Sequence, residues 1–144
     1  MRIEPFKPEH AMILSVRDVE KDMKQNKDFA KWAEVNATGT SFSAFHGDTL
    51  IGCGGVRLLW AGVGEGWVLF STEVVNHKVS IRRYVNEYFQ KIIEKNNLHR
   101  VQAHVNCEWG LAIRFVESLG FKVEGRMLKF NPDGTDSFLF ALVR

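Results

Sequence analysis

The stretch 98–125, LHRVQAHVNCEWGLAIRFVESLGFKVEG, constrains the fold of this chain more than any other. Leu98, Val101, Ala103 and Val105 form a short run close to period two, the pattern of a strand with one buried face. Leu111, Ala112, Phe115, Val116 and Leu119 then recur at helical spacing, and Gly120 stands where a left-handed residue would end that helix. Phe121 and Val123 begin a further strand.

The rest of the chain supplies the elements that this unit needs. Met1–Phe6 read as a first strand stopped by Pro5 and Pro8, with a helix opening from Glu9 and Met12, Ile13 and Val16 on one face. A second helix is expected over about Val19–Val35. Its apolar positions include Met23, Ala30, Trp32 and Ala33, and Lys24, Lys27 and Lys31 lie on a solvated face. Asn36–Gly39 make a loop. Thr40–Phe45 and Thr49–Leu59 form a hairpin about His46-Gly47-Asp48. Gly52, Gly54 and Gly55 inside its second strand signal a bulge or a close backbone approach. Trp60–Gly66 read as a glycine-rich hairpin tip and Trp67–Val75 as the next strand. A hairpin tip explains this run better than a phosphate loop, because no Lys-Ser/Thr pair follows and a strand, not a helix, comes next.

Val79–Lys95 carries the widest apolar stripe: Ile81, Tyr84, Val85, Tyr88, Phe89, Ile92 and Ile93. After residue 121, a strand over Lys122–Phe130, a turn at Asn131-Pro132-Asp133-Gly134 and a last strand over Ser137–Val143 complete the order.

With 144 residues, 45% of them hydrophobic, the chain has material for one domain, 1–144, with a real core. A net charge of +2 without a clustered basic face argues against nucleic acid as a partner. Two cysteines, Cys53 and Cys107, have neither disulfide-framework nor metal-ligand spacing, so a reduced, cytoplasmic setting and no metal are expected. No apolar run approaches the length of a membrane span.

The order strand, two helices, three strands, helix, strand, helix, two strands, finishing in ESLGFKVEGR, resembles the Gcn5-related N-acetyltransferase (GNAT) family over nearly the whole length. The resemblance implies an α+β fold: a mixed, mostly antiparallel sheet flanked by helices, with the fourth and fifth strands splayed apart. It further implies acetyl-CoA as cofactor, a small-molecule or peptide amine as acceptor, and direct attack of that amine in a ternary complex. The aromatic, glycine-rich tip Trp60–Trp67 is either the interface of a homodimer or a bare hairpin end.

The family's pyrophosphate loop, Gln/Arg-x-x-Gly-x-Gly/Ala, aligns with His77-Lys78-Val79-Ser80-Ile81-Arg82. The resemblance therefore assigns the cofactor to Val74, Val75, His77, Lys78, Ser80, Arg82 and Arg83, with Asn106 and Trp109 at the next helix entry. Both glycines are absent. Either the side chains of this basic cluster grip phosphate, or Arg82 fills the space the phosphate would take. The family's acidic tyrosine and helix-entry asparagine align with Val116 and Trp109, and Val116 cannot transfer a proton. For the catalytic base the candidates are Glu73, at the expected end of the fourth strand, and His104, whose imidazole titrates near neutrality. A second reading stays open. The HKVSIR turn, with Trp109 and Val116, also resembles GNAT-like proteins of tailed phages, which would make the chain a non-catalytic binding or structural module.

Overall fold

The computed structural model describes residues 1–14 and 27–144. Seven strands make one sheet: β1 (Arg2–Pro5), β2 (Ser41–His46), β3 (Thr49–Trp60), β4 (Val63–Phe70), β5 (Arg100–Asn106), β6 (Lys122–Met127) and β7 (Ser137–Val143). Their spatial order is β1-β2-β3-β4-β5-β7-β6. Every pairing is antiparallel except that of β4 with β5. The described helices are α1 (Pro8–Ile13), α2 (Phe29–Asn36), α3 (Lys78–Lys95) and α4 (Gly110–Ser118). The mixed, mostly antiparallel sheet flanked by helices is the architecture expected from the sequence.

Each face of the sheet has its own apolar core. Beneath α3 and α4, Val56, Val101, Ala103, Val105 and Phe140 meet Phe89, Ile92 and Ile93 of α3 and Ala112 of α4. Beneath α1 and α2, Phe45, Leu50, Cys53 and Leu69 meet Phe6, Ala11, Leu14, Phe29 and Ala33. Burial of a large aliphatic or aromatic side chain contributes about 1.5–3 kcal/mol relative to leaving it exposed, so these two clusters seat the helices. In α1 the inward positions are His10 and Ala11, with Leu14 just beyond its end, whereas Met12 and Ile13 are exposed. In α2 the buried residues are Phe29, Ala33 and Asn36, and Ala30 is exposed. The expected positions Val16, Val19, Met23 and Lys24 lie outside the described residues.

The glycines of β3 serve both anticipated purposes. Ile51 is the extra residue of a bulge, because Ala44 pairs with Gly52 and Phe45 with Leu50. Gly54 and Gly55 mark close approach: a Cβ on Gly54 would lie 2.8 Å from the Trp67 carbonyl oxygen, and one on Gly55 would collide with the Thr40 carbonyl and Ser41.

The expected seven-residue tip is instead a two-residue turn, Ala61-Gly62, with Gly62 at φ +82°. Gly64 and Gly66 belong to β4, opposite Leu58 and Val56. Gly64 lacks a side chain because Val56 fills the space, so glycine here reflects cross-strand crowding, not a loop. β4 also stops sooner than expected. At Phe70 the chain leaves the sheet, and the Ser71 hydroxyl accepts the Glu73 amide to start a 3-10 turn over Thr72–Asn76.

The helix after β5 closes as anticipated. Gly120 has φ +98°, its N–H donates to the Glu117 carbonyl, and the Phe121 N–H donates to that of Val116. This double bond pattern is the Schellman motif.

His10 is buried on the inner face of α1. Its Nδ1 accepts the Lys7 amide at 3.2 Å and lies 2.7 Å from the Ser43 hydroxyl, while Nε2 stands 3.6 Å from Glu4. Burial holds its pKa below the usual 6.5, against the opposing pull of Glu4 and Glu9 and alongside that of Lys7. The folded chain then binds fewer protons here than the unfolded chain as pH drops through 6.5, so acidification destabilises the fold. The melting temperature is expected to fall between about pH 7.5 and pH 5.5, and to fall less in His10→Gln. His104 contributes a residual slope of the same sign. Separately, Gly55→Ala is expected to lower stability by about 1–3 kcal/mol in urea titration, the cost of overpacking against backbone that cannot yield.

Candidate functional site

The parallel ladder between β4 and β5 has only three rungs: Val63–Arg100, Gly64–Val101 and Glu65–Gln102. Beyond Glu65 and Gln102 the strands part, although β4 runs on to Phe70 and β5 to Asn106. The inner edges of both strands are left without a ladder across this V, which opens into a cleft of roughly 530 Å³. The cleft passes through the sheet: Trp32, Ser43 and Cys53 line it on the α1–α2 face, and Ile81, Tyr84, Val85 and Phe115 on the α3–α4 face. At its back the rings of Phe70 and Phe115 meet edge to face at 5.3 Å and hold α4 against the end of β4.

Strand alternation decides what points into the V. Glu65 and Gln102 are a rung, so they share a face, and the Gln102 side-chain amide donates to Glu65 at 3.5 Å. Two residues further on, Trp67 on β4 and His104 on β5 stand on that same face, on opposite arms of the V. Both line the cleft.

His104 Nδ1 and Nε2 find no hydrogen-bond partner among the described residues, and its ring lies 4.6 Å from that of Phe130. The imidazole is open to solvent through the cleft mouth, yet protein crowds it on its other sides. This desolvation lowers its pKa from the usual value, with Glu65 opposing. A neutral, unpartnered imidazole is therefore present in the cleft at neutral pH.

The other sequence candidates divide sharply. Asn106 and Trp109 line the cleft. The Asn106 side chain is committed locally: its amide donates to the Thr135 hydroxyl at 3.3 Å, and its oxygen accepts the Glu108 N–H at 2.9 Å. Trp109 is the N-terminal flanking residue of α4.

Glu73 does not line the cleft. It sits in the 3-10 turn beyond β4, exposed, and accepts from Asn76 at 3.3 Å. The early end of β4, forced by the Ser71 cap, carries it away from the strand end expected for it. Val74 is a core side chain packed with Ile51 and Ile81, and Val75 is exposed.

The basic turn is not a cluster aimed into the cleft. His77 precedes α3, with its ring 4.7 Å from that of His46. Lys78 is exposed, and Ser80 is half-buried. Arg83 lies over the Tyr84 ring at 5.3 Å. Arg82 is exposed and turned toward α4: Nε donates to Ser118 Oγ at 3.1 Å and Nη2 to the Ser118 carbonyl at 3.4 Å, tying α3 to the end of α4. The first bond into α3 is Ile81 N–H to the His77 carbonyl, so the Lys78, Val79 and Ser80 amides have no partner among the described residues. These amides form the positive end of an 18-residue helix.

Three cleft residues escaped the sequence reading of the site. Glu65 was assigned to a loop tip, and its role shows only once the V is placed. Tyr84 and Tyr88 were visible on the α3 stripe, one turn apart, but a stripe does not tell core from cleft wall.

The fold has many relatives of known structure. An acetyltransferase of the GNAT family from Bacillus anthracis superposes with a TM-score of 0.74 at 19% identity, over 98% of this chain and 93% of that one. The chain has the GNAT fold. Ard1 from Thermoplasma volcanium gives a TM-score of 0.79 at 12% identity over 99% and 96% of the two chains. A ribosomal-protein-alanine N-acetyltransferase from Brucella melitensis gives 0.74 at 13%, over the whole of both. No protein-family model matches the sequence, and no curated protein is recognisably similar to it. Among the described residues no helix is long and apolar enough to cross a membrane.

The back wall of the cleft generates a prediction. Phe115→Ala is expected to destabilise the protein by about 2–3 kcal/mol, below the range for a fully buried phenylalanine because the ring is only partly covered. The urea midpoint measures it.

Proposed function

We propose that the protein is an acetyl-CoA-dependent N-acetyltransferase that acetylates a primary amine by direct attack. The observation that carries this reading is the parted β4–β5 pair with a neutral, unpartnered His104 inside it. When bound, the CoA thioester supplies an activated acetyl carbonyl.

The groups present fit such a ligand. The unpaired amides at the start of α3 suit its pyrophosphate, as free N–H donors and the helix dipole do generally. The inner strand edges of the V suit the amides of its pantetheine arm. Arg82, tied to Ser118, neither fills that helix end nor contributes to it, so backbone donors take the role that the missing glycines assist in other members. Lys78 and His77 flank the same turn and add positive charge.

On the opposite face, His104 accepts a proton from the acceptor ammonium as the amine enters the V. The freed nitrogen lone pair forms the N–C bond to the acetyl carbonyl, the C–S bond breaks, the thiolate leaves with its electron pair, and the nitrogen releases its surplus proton to solvent. Val116 supplies no proton for that sulfur, and the Tyr84 phenol, in the cleft wall, does so in its place, its phenolate then being reprotonated from solvent. Glu65, held by Arg57 at 3.3 Å, keeps a negative charge near His104 and stabilises the imidazolium that forms.

The reading is tested by thermal shift. Acetyl-CoA at millimolar concentration is expected to raise the melting temperature by mass action. No shift would overturn the enzyme reading in favour of a non-catalytic module. With a suitable amine, His104→Ala is expected to reduce kcat about 10²–10⁴-fold while leaving the acetyl-CoA shift intact. The acid limb of kcat/KM should fall below the usual histidine pKa and vanish in that variant.

A further inference from the structure

The acceptor side of the V indicates which amine it takes. We infer that the acceptor is a primary monoamine on an apolar, aromatic-sized body, held by Trp67 and Trp32 with its nitrogen toward His104; this rests on the N-acetyltransferase reading and narrows it.

The wall is built of stacked aromatic rings. Trp67 is the first residue on this face beyond the last β4–β5 rung, across the opening from His104. The Trp32 ring meets it edge-on at 4.9 Å, with Phe29 stacked on Trp32 at 5.5 Å and Phe6 edge-on to Trp67 at 5.0 Å. Trp32 and Trp67 are half-buried and line the cleft, while Phe6 and Phe29 are buried behind them. Two rings fixed in this way form a rigid platform that loses little conformational entropy when it is covered.

The polar groups at this end are already engaged. The Asn36 amide donates to the Trp32 carbonyl at 2.8 Å, the Ser43 hydroxyl is bonded to His10, and Glu65 is held by Arg57 and Gln102. On the far side of the mouth, Asp133 accepts both the amide and the hydroxyl of Thr135. Among the described residues, a second ammonium on the acceptor would therefore enter an apolar wall whose carboxylate, Glu65, is already paired with Arg57. Burying an unpaired charge there is costly. A single ammonium pays no such penalty, because it is drawn in over the indole faces and surrenders its charge to His104 at the reaction centre. What stays behind against the tryptophans is apolar. A polyamine fits this wall poorly and an arylalkylamine fits it well.

The test uses the intact chain with phenethylamine and spermidine as probes. Intrinsic tryptophan fluorescence, read without acetyl-CoA, is expected to respond saturably to phenethylamine and to require at least about tenfold more spermidine. In turnover with acetyl-CoA, kcat/KM for phenethylamine is expected to exceed that for spermidine by at least about tenfold. Trp32→Ala is expected to raise KM for phenethylamine about tenfold with little change in kcat, and Trp32→Phe to restore most of it. Circular dichroism confirms that both variants are folded. A preference for spermidine, or an unchanged KM in folded Trp32→Ala, overturns the inference while acetylation itself stands. A fluorescence response to phenethylamine without any acetyl-CoA thermal shift overturns the enzyme reading instead.

Discussion

The three-rung contact between β4 and β5 is the constraint on which the rest of the structure depends. Those rungs join the two halves of the sheet, β1 to β4 on one side and β5 to β7 on the other. A longer ladder would close the V, and no ladder would leave the halves joined only through their helices. Backbone groups that pairing would satisfy are instead open to the cleft over the remaining length of both strands. Such groups are expensive to bury without partners, so the gap is stable only while water or a polar ligand reaches it.

Packing on both faces holds the gap open. On the α3–α4 side, Phe115 against Phe70 fixes α4 beside the end of β4. The Arg82 bond to Ser118 spans the same two helices at the surface. On the α1–α2 side, the aromatic set of Phe6, Phe29, Trp32 and Trp67 makes one wall of the opening, and His104 against Phe130 stands on the other arm. The same rings that support the arms thus define what can enter. An arginine in the helix-entry turn is consistent with this design, because its guanidinium is spent on joining helices and the amides of α3 remain free.

The scaffold was legible along the chain because its signals are local. The α3 stripe, the β5 alternation and the Gly120 cap each depend on residues within a few positions of one another, and all three took the expected form. Element ends were less legible. The Ser71 cap ended β4 early and displaced Glu73, and the glycines at 64 and 66 were strand residues, Gly64 crowded by Val56, not a loop. Composition cannot tell these cases apart, because a glycine required by a neighbour across a sheet looks the same as one required by a turn.

The sequence by itself determined the order of elements, the apolar faces and the presence of a histidine on the fifth strand. Only the tertiary structure decided that His104 faces Trp67 across an opening, that Arg82 is bonded to Ser118, and that Glu65 rather than Glu73 stands near the imidazole. The physical reason is range. Periodicity and capping act between residues a turn or a rung apart, whereas the register of β4 on β5 joins positions 37 apart, Glu65 and Gln102, and is fixed by packing of the whole sheet. That register places each side chain in the cleft or outside it, and a shift of one residue would exchange the two sets.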